Sequence, residues 1–296
     1  MSTVSLVKGN DRKKNILKAL ELIRDDIKNS LKNKERILIK PNFVSTNIPL
    51  CATNVKCVEA IIEFMQDFEK PIIIAESPAI GTAVDGFRNY DYEYLEDKFG
   101  VKLMDLEKDG FEEIELDTSG FNLIRPKSIK VGISKMLLDK KNYIISSAVL
   151  KTHDTVIATL SLKNILMGAI CKRDKAKMHG SIKDINIFLF KLAKILRPDL
   201  AVIDGFEGME GNGPLYGTTV DTRCSIASID CIAADRVGLE VMEINPDYVG
   251  YLNYCGNYGI GVFDLSKIKI LGDKIDECKR KFKLNDTWKQ QINWVC

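Results

Sequence analysis

The chain has 296 residues, 45% of them hydrophobic and 28% charged, with 20 Gly and 8 Pro. That composition is globular and excludes a disordered or collagen-like chain. Lys+Arg at 43 against Asp+Glu at 41 leaves a formal charge of +2, too even a balance to hold nucleic acid non-specifically.

Thr3–Val7 alternates like a strand, and Asp11 is placed to cap a helix from Arg12 to about Leu31. Its Ile16, Leu20, Ile23, Ile27 and Leu31 recur at spacings of three and four. Arg36–Ile39 is a second strand that stops at Lys40-Pro41-Asn42. Thr53 or Asn54 caps a helix reaching about Phe68, and Pro71–Ala75 is a wholly apolar strand. Strands that short and apolar suit a sheet covered on both faces. Asp91–Phe99 reads as a short helix, and Lys102–Leu106 and Glu113–Leu116 as strands. Gly110, Gly120 and Pro126 punctuate an irregular segment of about 100–135. Regularity returns with strand Asn142–Val149 and the helices Leu160–Ala169 and Ile182–Leu196. Strand Leu200–Ile203 then runs into the glycine-rich stretch Asp204–Gly217. Ser225–Ile229 with Ile232–Met242 forms another strand–helix unit, and Lys267–Leu271 a last strand. This alternation predicts a doubly wound, largely parallel α/β sheet, as one domain over 1–296 or two intimate lobes, with no separable linker. The tail carries Trp288 and Trp294, which pack on their own core or on a second subunit of a homodimer.

Apolar runs such as Ile72–Ala75 fall far short of a bilayer span, and the N-terminus has no apolar signal-peptide region. A cytoplasmic protein with no membrane partner is expected. Cysteines at 51, 57, 171, 224, 231, 255, 278 and 296 include no Cys-x-x-Cys pair, so they read as reduced thiols, mostly in the core.

In doubly wound sheets, ligands bind outside the carboxyl ends of the strands, and the unusual polar residues collect there. Lys40-Pro41-Asn42, Glu76-Ser77-Pro78, Lys151-Thr152-His153-Asp154 and Asp204-Gly205 each follow an apolar strand. The chain has two histidines, His153 and His179, and they bracket the helix with Lys163 and Asn164. Histidine is the natural proton shuttle and a common metal ligand near neutral pH. Lys163 sits in an otherwise apolar helical stretch, where a lowered pKa makes it a base, nucleophile or tether, unless it snorkels to the surface. Backbone amides of Gly211, Asn212 and Gly213 are placed to form an anion nest, or simply a tight loop. Asp204, Glu207 and Glu210 are carboxylates suited to a hard cation. Asp230 and Asp235 read as a helix N-cap and a surface or rim residue.

Lys40-Pro41-Asn42, Leu150-Lys151-Thr152-His153, Thr159-x-Ser161-x-Lys163-Asn164-x-x-x-Gly168, Asp204-Gly205 and Met209-Glu-Gly-Asn-Gly-Pro214 together resemble the DUF362 family over most of the chain. Some members of that family add a ferredoxin-like module with two iron–sulfur clusters. This chain lacks the cysteine spacing and resembles the bare domain, so no iron–sulfur cluster is expected. His153, Lys163 and His179 also have the order and spacing of a motif in lactate racemase and its relatives. That distant resemblance implies a nickel-pincer nucleotide tethered to Lys163, nickel ligation by His179 and acid/base work by His153. The Gly-Gly-x-Lys context typical of those enzymes is here Leu160-Ser-Leu-Lys163.

Two functions are expected from these residues. The first is an enzyme acting on a small anionic metabolite, a carboxylate or phosphate, by proton transfer as in racemisation or isomerisation. His153 is its acid/base and Lys163 a second base, tether or anion contact. Lys40, Asn42, Glu76, Lys151, Asn164 and the Gly211–Gly213 backbone bind the substrate. The alternative is a metal- or cofactor-binding carrier without turnover, holding a divalent metal through His179, Asp204 and Glu210.

Overall fold

β-Branched and aliphatic runs such as Arg36–Lys40 and Ile72–Glu76 form the strands of a central sheet whose two faces both bury apolar side chains. The protein is described by a computed structural model covering residues 1–295 apart from 122 and 124–127; Pro126 and Cys296 lie outside the described residues. In chain order the elements begin β1 (Ser2–Lys8), α1 (Arg12–Glu21), α2 (Arg24–Ser30), β2 (Arg36–Lys40), α3 (Val55–Met65), β3 (Ile72–Glu76), α4 (Ala83–Asn89), α5 (Tyr94–Phe99) and β4 (Lys102–Asp105). The middle contains β5 (Phe111–Asp117), β6 (Ser128–Ser134), α6 (Lys135–Leu138), β7 (Asn142–His153), β8 (Ile157–Thr159), α7 (Ser161–Ala169), α8 (Lys175–Met178) and α9 (Ile182–Ala193). It closes with β9 (Leu200–Asn212), β10 (Tyr216–Ser228), α10 (Cys231–Val241), α11 (Gly250–Asn257), β11 (Ile268–Gly272), α12 (Ile275–Cys278) and α13 (Trp288–Gln291).

The nine-stranded sheet has the order β11-β1-β10-β9-β7-β2-β3-β4, with β8 paired to β7. Neighbours from β9 through β4 are parallel, as are β11 and β1; β10 is antiparallel to both its neighbours. Helices cover both faces. Side chains of α1, α2, α3, α4 and α5 form one apolar core with one side of the sheet, and those of α7, α9, α10 and α11 form the other. The irregular segment holds the separate antiparallel pair β5–β6.

Three expectations need correction. The long first helix is two, because Ile23 leaves helical geometry at ψ 22. Its apolar stripe nevertheless stays buried across the break, from Ile16 to Leu31. β7 continues past Val149 to His153, with a register shift between Val149 and Lys151. The glycine-rich stretch is strand rather than loop as far as Asn212, hydrogen-bonded to β10. Glycine is required there for close approach: a Cβ at Gly208 would lie 2.7 Å from Phe282, and one at Gly205 2.5 Å from Leu150. Among these residues only Gly211 has a positive φ, +76°.

The tail folds back on its own chain. The Trp288 ring stacks on Tyr248 at 5.5 Å, and Trp294 Nε1 donates to Asp247 O at 3.1 Å. All seven described cysteines are buried and free. Among the described residues no helix is long and apolar enough to cross a membrane.

Candidate functional site

β2, β3 and β7 end side by side, and the start of α7 faces them on one side of the sheet. Together they enclose a cavity of about 230 Å³. Lys40, Asn42, Glu76, His153, Lys163, Asn164 and His179 all line it. Strand pairing brings together ends that lie far apart in sequence. Lys40 registers with Ser146 on β7, and Asn164 on α7 reaches across to hydrogen-bond both Lys40 and Asn42.

The floor of the cavity is a closed polar network. The three protons of the buried Lys40 ammonium go to Pro41 O at 2.9 Å, Glu76 Oε2 at 2.9 Å and Asn164 Oδ1 at 3.0 Å. Asn164 Nδ2 donates to Lys40 O and to Ser146 Oγ. Lys151 is wholly buried, bonds Asn42 Oδ1 and Cys51 O at 2.8 Å, and does not line the cavity. Burial pushes the Lys40 amine down against the pull of Glu76, and pushes Lys151 down to about 8. Lys40 and Lys151 were expected to grip an anion; the Lys40 protons are already committed inside the protein and Lys151 does not reach the cavity, so they frame the site. Gly168 is where α7 makes room for this frame, since a Cβ there would lie 1.8 Å from Lys40 Cε.

One wall carries a chain of three ionisable groups. Lys163 Nζ lies 2.9 Å from His153 Nε2, and His153 Nδ1 lies 3.0 Å from Asp154 Oδ1. The Thr155 amide also donates to Nδ1, at 3.0 Å. Two tautomers of the neutral ring are available, and each makes one of the two Nδ1 contacts. With Nδ1–H facing the Asp154 carboxylate, Nε2 accepts from Lys163, whether that amine is charged or neutral. With Nδ1 accepting from the Thr155 amide, Nε2–H donates to the neutral amine. Burial, with Lys163 adding to it, pushes His153 down to about 3, so the imidazole is neutral at pH 7. Burial pushes Lys163 down to about 7; Asp154 raises it and Lys151 lowers it further. Asp154 stays well below the usual carboxylate range, held there by His153 against its own burial.

Lys175 and Thr159 also line the cavity, and neither stands out in the sequence. Lys175 donates to Ser77 O at 2.6 Å and Ser77 Oγ at 3.1 Å, and burial pushes it down to about 8. Thr159 Oγ1 is buried at the cavity without a hydrogen-bond partner among the described residues. Phe43, Val44, Ala79, Met167 and Pro214 supply an apolar side. Lys175 was visible only as one of several lysines in a basic loop. Its placement depends on the Ser77 turn after β3, about a hundred residues away in sequence.

Other expected residues lie elsewhere. On β9, Ile203 packs in the core beneath α7, so strand alternation turns Asp204 to the α1 side. There Asp204 meets Arg12 at 3.1 Å, and Arg12 also holds Glu207 at 2.7 Å. Burial raises the Asp204 carboxyl, and Arg12 opposes it. Glu210 accepts the Lys283 amide at 2.7 Å. His179 is therefore not joined by Asp204 or Glu210, and no three His, Cys, Asp or Glu groups among the described residues converge to hold a metal. The Gly211–Gly213 amides form no anion nest: Gly211 N donates to Lys283 O and Gly213 N to Gly211 O, while Asn212 pairs with Asp286. Asp230 caps α10 as expected, but Asp235 is wholly buried rather than at a rim. It accepts the Ser161 and Leu162 amides at 2.8 and 3.0 Å, fixing the helix end that presents Lys163. Burial pushes it up to about 8.

The turn after His153 is held from the C-terminal tail. Ile157, β-branched and buried, has φ +69°, a conformation that surrounding contacts must impose. Its amide donates to Gln291 Oε1 at 2.7 Å; Gln291 Nε2 donates to Thr287 Oγ1 at 3.0 Å, and Thr287 Oγ1 reaches Asp154 O at 3.3 Å.

The nickel-pincer nucleotide implied by the distant resemblance finds a poor fit. His179 does line the cavity, and its Nδ1 lies 3.0 Å from Lys175 O. Lys163 Nζ, however, is turned to His153, and the cavity of about 230 Å³ is small for a nucleotide, since sites for drug-sized ligands run from roughly 300 Å³ upward. No step is routed through that group.

The sequence profile of a family described as "Domain of unknown function (DUF362)" matches residues 37–240. The thylakoid-associated protein sll1697 of Synechocystis sp. is 30% identical over 224 residues, covering 74% of this chain and 66% of that protein. The chain thus spans just under two thirds of that relative's length. The lactate racemase apoprotein from Thermoanaerobacterium thermosaccharolyticum is similar at a TM-score of 0.45 and 12% identity, over 69% of this chain and 50% of that one. A protein from Thermotoga maritima is similar at a TM-score of 0.40 and 12% identity, over 75% of this chain and 57% of that one.

Proposed function

The chain belongs to the DUF362 family, and from that premise we propose that it is an enzyme that binds a small anionic metabolite in the cavity and moves a proton on it. The observation that carries this reading is the chain Asp154–His153–Lys163 facing a cavity that Lys175 also lines. A base oriented by a carboxylate and touching a second base is the arrangement proton transfer needs. The two bases are tuned apart, with His153 neutral and Lys163 near 7, so one proton is mobile at physiological pH. Lys175 is the anion contact, because its two bonds to Ser77 leave one ammonium proton for a ligand. Thr159 Oγ1 supplies a second polar contact.

The reading is tested by incubating the protein in deuterium oxide with a panel of small 2-hydroxy, 2-amino and 2-oxo acids. Proton NMR follows deuterium entering at carbon next to the carboxylate or carbonyl. Exchange that His153→Ala and Lys163→Ala both abolish is the expected result, with Lys175→Ala weakening substrate affinity. Exchange unaffected by either of the first two substitutions overturns it. The cytoplasmic location expected from the sequence belongs to the proposal too; cell fractionation tests it against the thylakoid association in the relative's name.

A further inference from the structure

We infer that Lys163 is a nucleophile that forms an imine with the carbonyl carbon of a small 2-oxo acid, so that carbonyl acids with hydrogen on C3 are the substrate class of this cavity. The inference rests on the reading above and adds to it the bond through which the proton becomes acidic.

Three features of the geometry point to a nucleophile rather than an anion clamp. First, the cations of the cavity divide by their partners. Lys40 is neutralised by Glu76 at 2.9 Å, whereas Lys163 meets no carboxylate within ion-pair distance among the described residues and hydrogen-bonds only the neutral imidazole of His153. A buried ammonium without a counterion is costly, and giving up the proton relieves that cost and exposes the nitrogen lone pair. Second, the amine touches an acid/base group that is itself oriented, through Nδ1–H, by Asp154, which leaves Nε2 free to accept a proton. Imine formation needs such a group twice, to carry a proton from nitrogen to oxygen and to help that oxygen leave. Third, the cavity offers separate places for the rest of a 2-oxo acid: Lys175 for the carboxylate, the unpartnered Thr159 hydroxyl for the carbonyl oxygen, and Met167 with Phe43 for a short apolar tail.

The step balances without any co-reactant. The neutral Lys163 amine adds to C2 and the carbonyl π bond opens onto oxygen. His153 Nε2 takes one N–H proton from the adduct and returns it to that oxygen, giving a carbinolamine. The C–O bond then breaks, both amine protons leave with the oxygen as water, and the C2=N bond forms. Nothing is oxidised or reduced. Conjugation with C2=N makes a C3 hydrogen acidic, and His153 is the base positioned to remove it.

The test uses the full chain with 2-oxobutyrate and 2-oxoglutarate as probes, trapped with sodium cyanoborohydride and mapped by peptide mass spectrometry. The expected result is one reduced adduct per chain, on Lys163, at pH 7–8. The adduct is lost in Lys163→Arg, which keeps a cation but removes the nucleophile. In His153→Gln it forms at least tenfold more slowly. Circular dichroism establishes that both variants are folded, and if Lys163→Arg does not fold, protection of Lys163 from trapping by excess acetate serves instead. Labelling spread over exposed lysines, or none on Lys163 with either probe, overturns the inference. C3 deuterium exchange that depends on His153 but leaves no adduct on Lys163 overturns the imine and keeps proton transfer. An adduct on Lys163 without exchange keeps the imine and removes proton transfer.

Discussion

Gly168→Ala is the substitution on which helix propensity and tertiary packing disagree most sharply. Gly168 lies inside α7, and replacing an interior helical glycine by alanine gains about 1 kcal/mol in the helix itself. The structure demands the opposite sign. The new Cβ would sit 1.8 Å from Lys40 Cε and 2.4 Å from Nζ, inside van der Waals contact. A lysine on the surface would swing aside at little cost. Lys40 is 1% exposed, and its ammonium is fixed by Glu76, Asn164 and Pro41 O. Shifting α7 to make room costs roughly 1–3 kcal/mol as overpacking, and pulling Lys40 off Glu76 costs roughly 3–5 kcal/mol by leaving a buried charge unpaired. The chain takes the cheaper route, and after the helix gain the net loss is about 0–2 kcal/mol. Urea denaturation followed by circular dichroism measures it. The decisive comparison is a double-mutant cycle. In a Lys40→Ala background the obstacle is gone, and Gly168→Ala turns neutral or stabilising. If Gly168→Ala stabilises the otherwise unaltered chain, the close approach of Lys40 to α7 is wrong.

Three further outcomes follow from the same geometry. His153 is held near 3 in the folded protein against an ordinary value of about 6.5. Its stabilising effect is therefore complete above pH 6.5 and is lost as pH falls towards 3, at up to about 1.4 kcal/mol per pH unit; His153→Gln flattens that part of the stability curve relative to the parent. Long-range proton–nitrogen NMR, with two histidines to assign, checks the cause directly, and a His153 midpoint near 6.5 refutes it. An anion seated beside Lys163 raises that amine from about 7. Acetate binding at pH 8 then takes up on the order of half a proton or more, read by calorimetry in buffers of different ionisation enthalpy and reduced in Lys163→Met to the share that Lys175 contributes. Gln291→Ala removes the acceptor of the buried Ile157 amide, costs about 1–3 kcal/mol and shifts the His153 ring signals, whereas Gln291→Glu, which keeps an acceptor, retains most of both. Unchanged stability and shifts in Gln291→Ala would show that the tail does not hold the His153 turn.

Local pattern carried the architecture and the address of the site. Short apolar strands such as Ile72–Glu76 and periodic helices such as Ile182–Ala193 report their own burial through spacing. Polar residues directly after the strands β2, β3 and β7 could therefore be assigned to one rim before any pairing was known. His153 and Lys163 were legible for the same reason: each is ionisable within an apolar segment, and the nine residues between them leave room only for a tight turn, β8 and the start of α7. The antiparallel hairpin β9–β10 was not legible, because glycines at Gly205 and Gly208 look like a loop until Leu150 and Phe282 are known to press against them.

What the tertiary structure alone decided is which of those rim residues are free to act. Lys40 and Lys163 look equivalent as letters, both lysines beside apolar runs. The fold gives one of them Glu76, Asn164 and a carbonyl, and gives the other a neutral histidine. Asp204 stands at a strand end like Glu76, but alternation along β9 sends it through the sheet to Arg12. Asp235 and Gln291 support Lys163 and His153 from 72 and 138 positions away in the chain, contacts that no spacing rule encodes. Burial, counterion and hydrogen-bond partner set the charge state of a side chain, and each comes from residues that only folding brings together.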